Sequence, residues 1–218
     1  MLKRLKTHHQ QFWIKDNTHS FITSIVLFVI AIITQGFAGR YVIRVKGTAV
    51  EDLFLDNLPT VDLDFFIIQG ALILTAVIIF LFIYRPKYLN FGLKALSIFI
   101  LVRSFLITLT HLGPSPYQLI LDQNSRGFWL YDILYNTSND FFFSGHTGAP
   151  FLMALIFWKE KMWRYIFLTT SFVFGASMLL AHIHYSIDVF AAPFMTYSIF
   201  AIARYFFSYD YKISLKEN

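Results

Sequence analysis

The chain has 218 residues, 56% hydrophobic and 19% aromatic with only 14% charged, too apolar a mixture to cover the surface of a soluble domain of this length. Its net charge of +5 does not by itself imply a nucleic-acid partner, because basic residues in a membrane protein collect in cytoplasmic loops. With no cysteine, disulfides and thiolate metal sites are excluded.

Residues 1–19 form a basic arm in which His8, His9 and His19 are expected to be solvated. The apolar run that follows, 20–39, is long for a signal peptide and lacks a small-residue cleavage site, so it is read as an uncleaved span. Further runs at 65–84, 95–112, 142–158, 163–181 and 186–204 are each close to the about 20 residues that cross a bilayer as a helix. The expected fold is therefore all-α, a polytopic six-transmembrane-helix bundle. It comprises a cytoplasmic arm (1–19), one membrane catalytic domain (20–204) and a cytoplasmic tail (205–218).

Lysine and arginine between the spans set the orientation. Lys3, Arg4, Lys6, Lys15, Arg85, Lys87, Lys94, Lys159, Lys161, Arg164, Arg204, Lys212 and Lys216 give thirteen on one side, against Arg40, Arg44, Lys46 and Arg126 on the other. Eight acids between Glu51 and Asp140 gather with the smaller set. Both termini are thus expected in the cytoplasm, and topology accounts for the basic charge without nucleic acid. The outward connection 113–141 carries Gly113-Pro-Ser-Pro116 and an aromatic set, Phe128, Trp129, Tyr131 and Tyr135, suited to headgroup level. Its Asn136-Thr-Ser138 is a glycosylation sequon that matters only in a eukaryotic host.

Titratable residues inside spans are costly and raise functional hypotheses. Arg103 lies in mid-span, His146 heads the fourth span within Phe143-Ser-Gly-His-Thr147, and His184 and Asp188 open the sixth, four residues apart on one helical face. Spans four and six run from outside to inside in this topology, so His146, His184 and Asp188 fall together at the outer leaflet. The chemistry they suit is phosphoryl or phosphodiester transfer. Asp188 would fix the His184 tautomer and make its other nitrogen a nucleophile toward phosphorus, giving a phosphohistidine intermediate. His146 would protonate the departing alkoxide and deprotonate the acceptor. Ser144 and Gly145, ahead of a helix N-terminus, suit a phosphate seat, and Arg103 offers a fork-shaped donor. His111 and His182 are read as interfacial neighbours, and Phe141-Phe142-Phe143 as packing or lipid-facing residues rather than a choline cage.

At these residues the chain resembles the PAP2 lipid phosphatase and phosphotransferase superfamily, and within it the sphingomyelin synthase branch. Glu51-Asp-Leu-Phe-Leu-Asp56, Arg103 through Pro116, Asp140 through Thr147 and Leu180 through Val189 are similar to that branch's motifs. The resemblance implies a triad of His146, His184 and Asp188 on the exoplasmic, luminal or periplasmic side. It also implies movement of a phosphocholine or phosphoethanolamine headgroup from a glycerophospholipid to ceramide, with diacylglycerol released and neither metal nor cofactor required.

Departures bear on the branch. Typical phosphatases of the superfamily carry Lys-x6-Arg-Pro, Pro-Ser-Gly-His and Ser-Arg-x5-His-x3-Asp, whereas here the first motif has no counterpart, Phe143 stands in place of the proline and Met178 in place of the last arginine. A phosphodiester brings one negative charge where a monoester brings nearly two, so fewer cations favour a diester. Asn139 also differs from the branch's usual pattern, and the acceptor stays open between ceramide, another lipid alcohol and water. The expected partners are a phospholipid donor and a lipid-alcohol acceptor. The alternatives are a PAP2-type lipid phosphate or pyrophosphate phosphatase, a phospholipase C-like hydrolase, and a non-catalytic lipid binder or transporter.

Overall fold

An apolar run placed in lipid finds no water for its backbone and must close its own hydrogen bonds as a helix. The computed structural model describes residues 9, 12–13, 15–45, 47–135 and 141–216, and these are helical apart from loops and one isolated bridge between Thr48 and Leu112. In chain order the helices are α1 (Lys15–Arg44), α2 (Gly70–Tyr84, entered through a π-helical turn Phe65–Gln69), α3 (Leu89–Leu109), α4 (Phe128–Tyr135), α5 (Gly145–Ile156), α6 (Lys161–Leu180), α7 (Ser186–Phe206) and α8 (Ser208–Ser214). The sequon Asn136-Thr-Ser138, Asn139, Asp140, Lys46 and the basic residues Lys3, Arg4 and Lys6, with His8, lie outside the described residues.

Among the described residues five helices are long and apolar enough to cross a membrane: Asp16–Arg44, Phe65–Tyr84, Pro86–Leu109, Lys161–Leu180 and Ser186–Phe206. A multi-pass membrane protein is the architecture these lengths fit. Ile22, Val26, Val29, Ile30 and Ile33 of α1 are exposed, as a lipid-facing stripe requires. The run expected as the fourth span, 142–158, differs. Its helix α5 has 12 residues and is about 18 Å long, short of the about 30 Å of a hydrocarbon core. Phe141–Phe143 are apolar because Phe141 and Phe143 pack into the core, not because they continue a helix.

α5 is held against α3, α6 and α7 at the centre of the bundle, with Leu152, Met153 and Ala154 fully buried. Around it the core is largely aromatic, including Phe91, Phe99, Phe143, Phe157 and Phe167. At the end of the bundle away from the start of α5, Lys94 of α3 meets Asp210 of α8 at 2.6 Å, both buried, and Lys94 also donates to Ser20 of α1. This ties three helices through one pair. His9, expected to be solvated, instead bonds the Ile83 carbonyl at 2.8 Å and accepts from Trp13 at 3.0 Å. The last carbonyls of α2 have no intrahelical donor, and an imidazole N–H supplies one.

The loop after α1 and the loop after α3 are laced together. Gly113 N–H donates to Thr48 O at 2.9 Å, and a Cβ on Gly47 would lie 2.0 Å from His111 O while one on Gly113 would lie 2.6 Å from Gly47 O. Only glycine permits backbones this close.

Candidate active site

The turn between α6 and α7 takes residues 181–185, and it reverses the chain through His182 at φ 54°. A side chain other than glycine in this region is uncommon and needs support. Support comes from outside the hairpin: His182 is buried, its Nε2 lies 3.3 Å from Leu58 O, and the carbonyls of Leu180 and Ala181 accept from Val61 and Leu119 N–H, each at 2.9 Å. A carbonyl can only accept, so His182 Nε2 carries its proton and the residue serves as a tie, in keeping with its reading as a neighbour.

This turn delivers His184 to the start of α7. His184 is buried, with Nδ1 3.4 Å from Asp188 Oδ2, and the same oxygen accepts Tyr185 N–H at 3.1 Å. Asp188, fully buried, thus caps its own helix and orients the imidazole. With Nδ1 turned to the carboxylate, Nε2 is the nitrogen left for chemistry.

The second histidine belongs to α5. Ser144 caps that helix by accepting Thr147 N–H at 3.4 Å and Thr147 Oγ1–H at 3.2 Å, and Thr147 O accepts from Ser171 Oγ of α6 at 2.7 Å. Ser144 N–H donates to Asp188 O at 3.0 Å, so the His146 helix and the His184 helix meet backbone to backbone at their starts. Ser144, expected to help seat a phosphate, is fully buried, with its side chain and its amide both used in these joints. Gly145 stands differently: a Cβ there would lie 3.0 Å from Arg103 Cζ and Nη1, so the absence of a side chain lets the guanidinium lie against the first turn of α5. Arg103 Nε–H also donates to Phe143 O at 2.8 Å.

His146 is half-buried among rings. Tyr131 OH is 3.3 Å from its Nε2, and the ring centroids of Tyr131, Tyr135 and Phe174 lie 5.9, 5.5 and 6.1 Å away. Tyr131 and Tyr135 stack at 5.3 Å on α4, which is fastened to α2 where Tyr135 OH bonds Thr75 Oγ1 and the Ala71 carbonyl. Burial pushes the Tyr135 phenol above its usual range, and its bond to Thr75 works against that rise. Its aromatic character suits Tyr131 to headgroup level, but its pairing with His146 joins residues on separate elements, and sequence patterning offers no signal for it.

Asp52 completes the support. Its carboxylate accepts Ser186 N–H at 2.6 Å, Phe54 N–H at 2.9 Å and Leu55 N–H at 3.2 Å, joining the loop after α1 to the first residue of α7. Burial alone would raise its pKa, but these hydrogen bonds outweigh burial and hold the carboxyl below the usual range. Tyr185 OH donates to Gly113 O at 2.8 Å and accepts from Val50 N–H at 3.3 Å, so both laced loops are anchored beside His184. His111 turns instead to Tyr41 of α1, at 3.3 Å from its hydroxyl. Among the described residues no three His, Asp or Glu side chains converge as a metal centre would require.

Residues 137–205 match the family model of the PAP2 superfamily C-terminal domain. The match spans Ser144, Gly145, His146, His184 and Asp188 and leaves Arg103, Asp52 and Tyr131 outside it. It supports a phosphoryl-transfer enzyme of the lipid phosphatase or phosphotransferase type. Comparison with curated proteins returns no match.

Proposed function

We propose that this protein is a membrane phosphotransferase that moves a phosphocholine or phosphoethanolamine headgroup from a glycerophospholipid to ceramide or a similar lipid alcohol and releases diacylglycerol. His184 Nε2 attacks phosphorus, the bond to the diacylglycerol oxygen breaks, and His146 protonates that oxygen. The acceptor hydroxyl then gives its proton to His146 and attacks the phosphohistidine, breaking the N–P bond and restoring His184. Asp188 aims His184 and stabilises the charge it acquires, while Arg103 and Gly145 face the phosphoryl oxygens. The bundle crosses the membrane six times with both termini cytoplasmic, α5 and its flanking residues forming the fourth crossing, and the site opens to the opposite side.

The observation that carries this reading is the 3.0 Å bond from Ser144 N–H to Asp188 O, which joins the His146 turn to the His184–Asp188 pair while Arg103 lies against the same turn at Gly145. A diester substrate, rather than a phosphomonoester, is favoured because Met178, where phosphatases of the superfamily carry an arginine, is fully buried in the apolar core. The phosphate then has Arg103 and the histidines as its cationic partners.

The test uses purified protein in detergent with a headgroup-labelled phosphatidylcholine or phosphatidylethanolamine, with and without ceramide, beside His184→Ala. Label transferred to ceramide by the wild type and absent in the variant is the expected result. Free phosphocholine or phosphoethanolamine would make the enzyme a phospholipase C, and turnover confined to phosphomonoesters would make it a lipid phosphatase.

A further inference from the structure

At the end of the bundle opposite His146 and His184, α5 stops at Ile156 while α7 runs on to Phe206 and α8 folds back beside it. The mismatch leaves a cavity of about 230 Å³ along the last turns of α7. Its walls include the apolar side chains Leu155, Ile156 and Phe200, each less than a tenth exposed. Two cations, Lys159 and Arg204, line it as well. Exposed Trp158 and Tyr197 border it, and such aromatics settle at headgroup depth.

Among the described residues these two cations have no acidic partner. Glu160 is held by Arg85 at 2.8 Å and Asp210 by Lys94 at 2.6 Å, so the acids closest in sequence to Lys159 and Arg204 are already engaged. Arg204 lies over the Tyr211 ring at 5.9 Å, which steers its guanidinium along the cavity wall.

We propose that this cavity seats one anionic phospholipid of the leaflet opposite the active site, its phosphate between Lys159 and Arg204 and its first acyl carbons on Leu155, Ile156 and Phe200. A soluble anion would gain nothing from the apolar walls, and a zwitterionic lipid would bring its own cation against two others. An anionic headgroup satisfies both cations and leaves its tails against apolar surface. The site is separate from the reaction assigned to the other end, so failure of either leaves the other standing.

The experiment places the full chain in bilayer discs of phosphatidylcholine with a minority of phosphatidylglycerol and counts retained lipid by native mass spectrometry. The wild type is expected to keep one phosphatidylglycerol in preference to phosphatidylcholine. Lys159→Gln and Arg204→Gln should each weaken that retention about tenfold, as loss of one charge-assisted contact implies. Lys161→Gln, an exposed cation at the same end that does not line the cavity, should keep it. Equal retention of both lipids, equal loss in Lys161→Gln, or displacement of the lipid by soluble glycerol phosphate would overturn the proposal. Both cavity variants remove surface charges, and a thermal unfolding curve matching the wild type in lipid-free detergent confirms that the loss is one of binding.

Discussion

The 3.3 Å contact between Tyr131 OH and His146 Nε2 matters because a hydroxyl can both donate and accept. When Nε2 of His146 is unprotonated the phenol donates to it, and when Nε2 carries a proton the ring donates to the phenol, so the contact survives both halves of the proposed proton shuttle. One such bond contributes about 1 kcal/mol, equivalent to roughly five- to tenfold in rate. Tyr131→Phe keeps the stacking with Tyr135 and removes only the hydroxyl. It should lower kcat by that factor, leave KM near its wild-type value and displace the limb of the pH–rate profile that reports His146. A variant with wild-type kcat and pH profile would reduce Tyr131 to a packing residue. Gly145 makes a sharper case. Alanine there must push the Arg103 guanidinium away from a position now 3.0 Å from the added carbon. Activity of Gly145→Ala should fall through KM for the phospholipid, measurable by initial rates over a range of donor concentration.

Among the elements, α7 is the one whose start must be held, and Asp52 holds it. Its folded pKa lies below the ordinary value, so its contribution to stability is fully present above the ordinary carboxylate range and is lost as pH falls through the folded value. Wild-type thermal stability in detergent should therefore drop on acidification below about pH 4, and Asp52→Asn should show a lower starting stability with a flatter acid limb. Helix limits were largely legible where a long apolar run faces lipid, since 65–84 and 186–204 correspond closely to the helical segments Phe65–Tyr84 and Ser186–Phe206. They were less so where polar residues pair between helices. Asn90 of α3 donates to Asn17 O and accepts from Ser24 Oγ, so α1 carries polar residues against α3 that an apolar count treats as breaks. The short α4 and α8 lack the length that periodicity needs. In the site, Ser144, His146, His184 and Asp188 stood out because polar residues at a membrane edge are costly. Tyr131 did not, because its role depends on which helix it faces.

Across the whole molecule, the end far from the histidines is fastened by charge. Lys94 and Asp210 are both buried, and breaking such a pair leaves an unpaired ion in the interior, at a cost of about 3–5 kcal/mol. Lys94→Ala should lower the unfolding temperature steeply, whereas Lys94→Met with Asp210→Leu should recover much of the loss. In both, the fraction that remains folded should keep its wild-type KM, because the pair lies at the opposite end from His146; thermal unfolding followed by assays on the folded fraction would check this. The end with the histidines is fastened by backbone instead, and this gives the protein an order of assembly. Val61 and Leu119 supply the N–H groups for Leu180 and Ala181, and Asp52 waits for Ser186, so each partner from these loops leaves the ribosome well before the hairpin it meets. Until α7 arrives, those loops lack their partners in the last hairpin, and a nascent chain cut short before it lacks His184 and Asp188 as well as the turn that positions them.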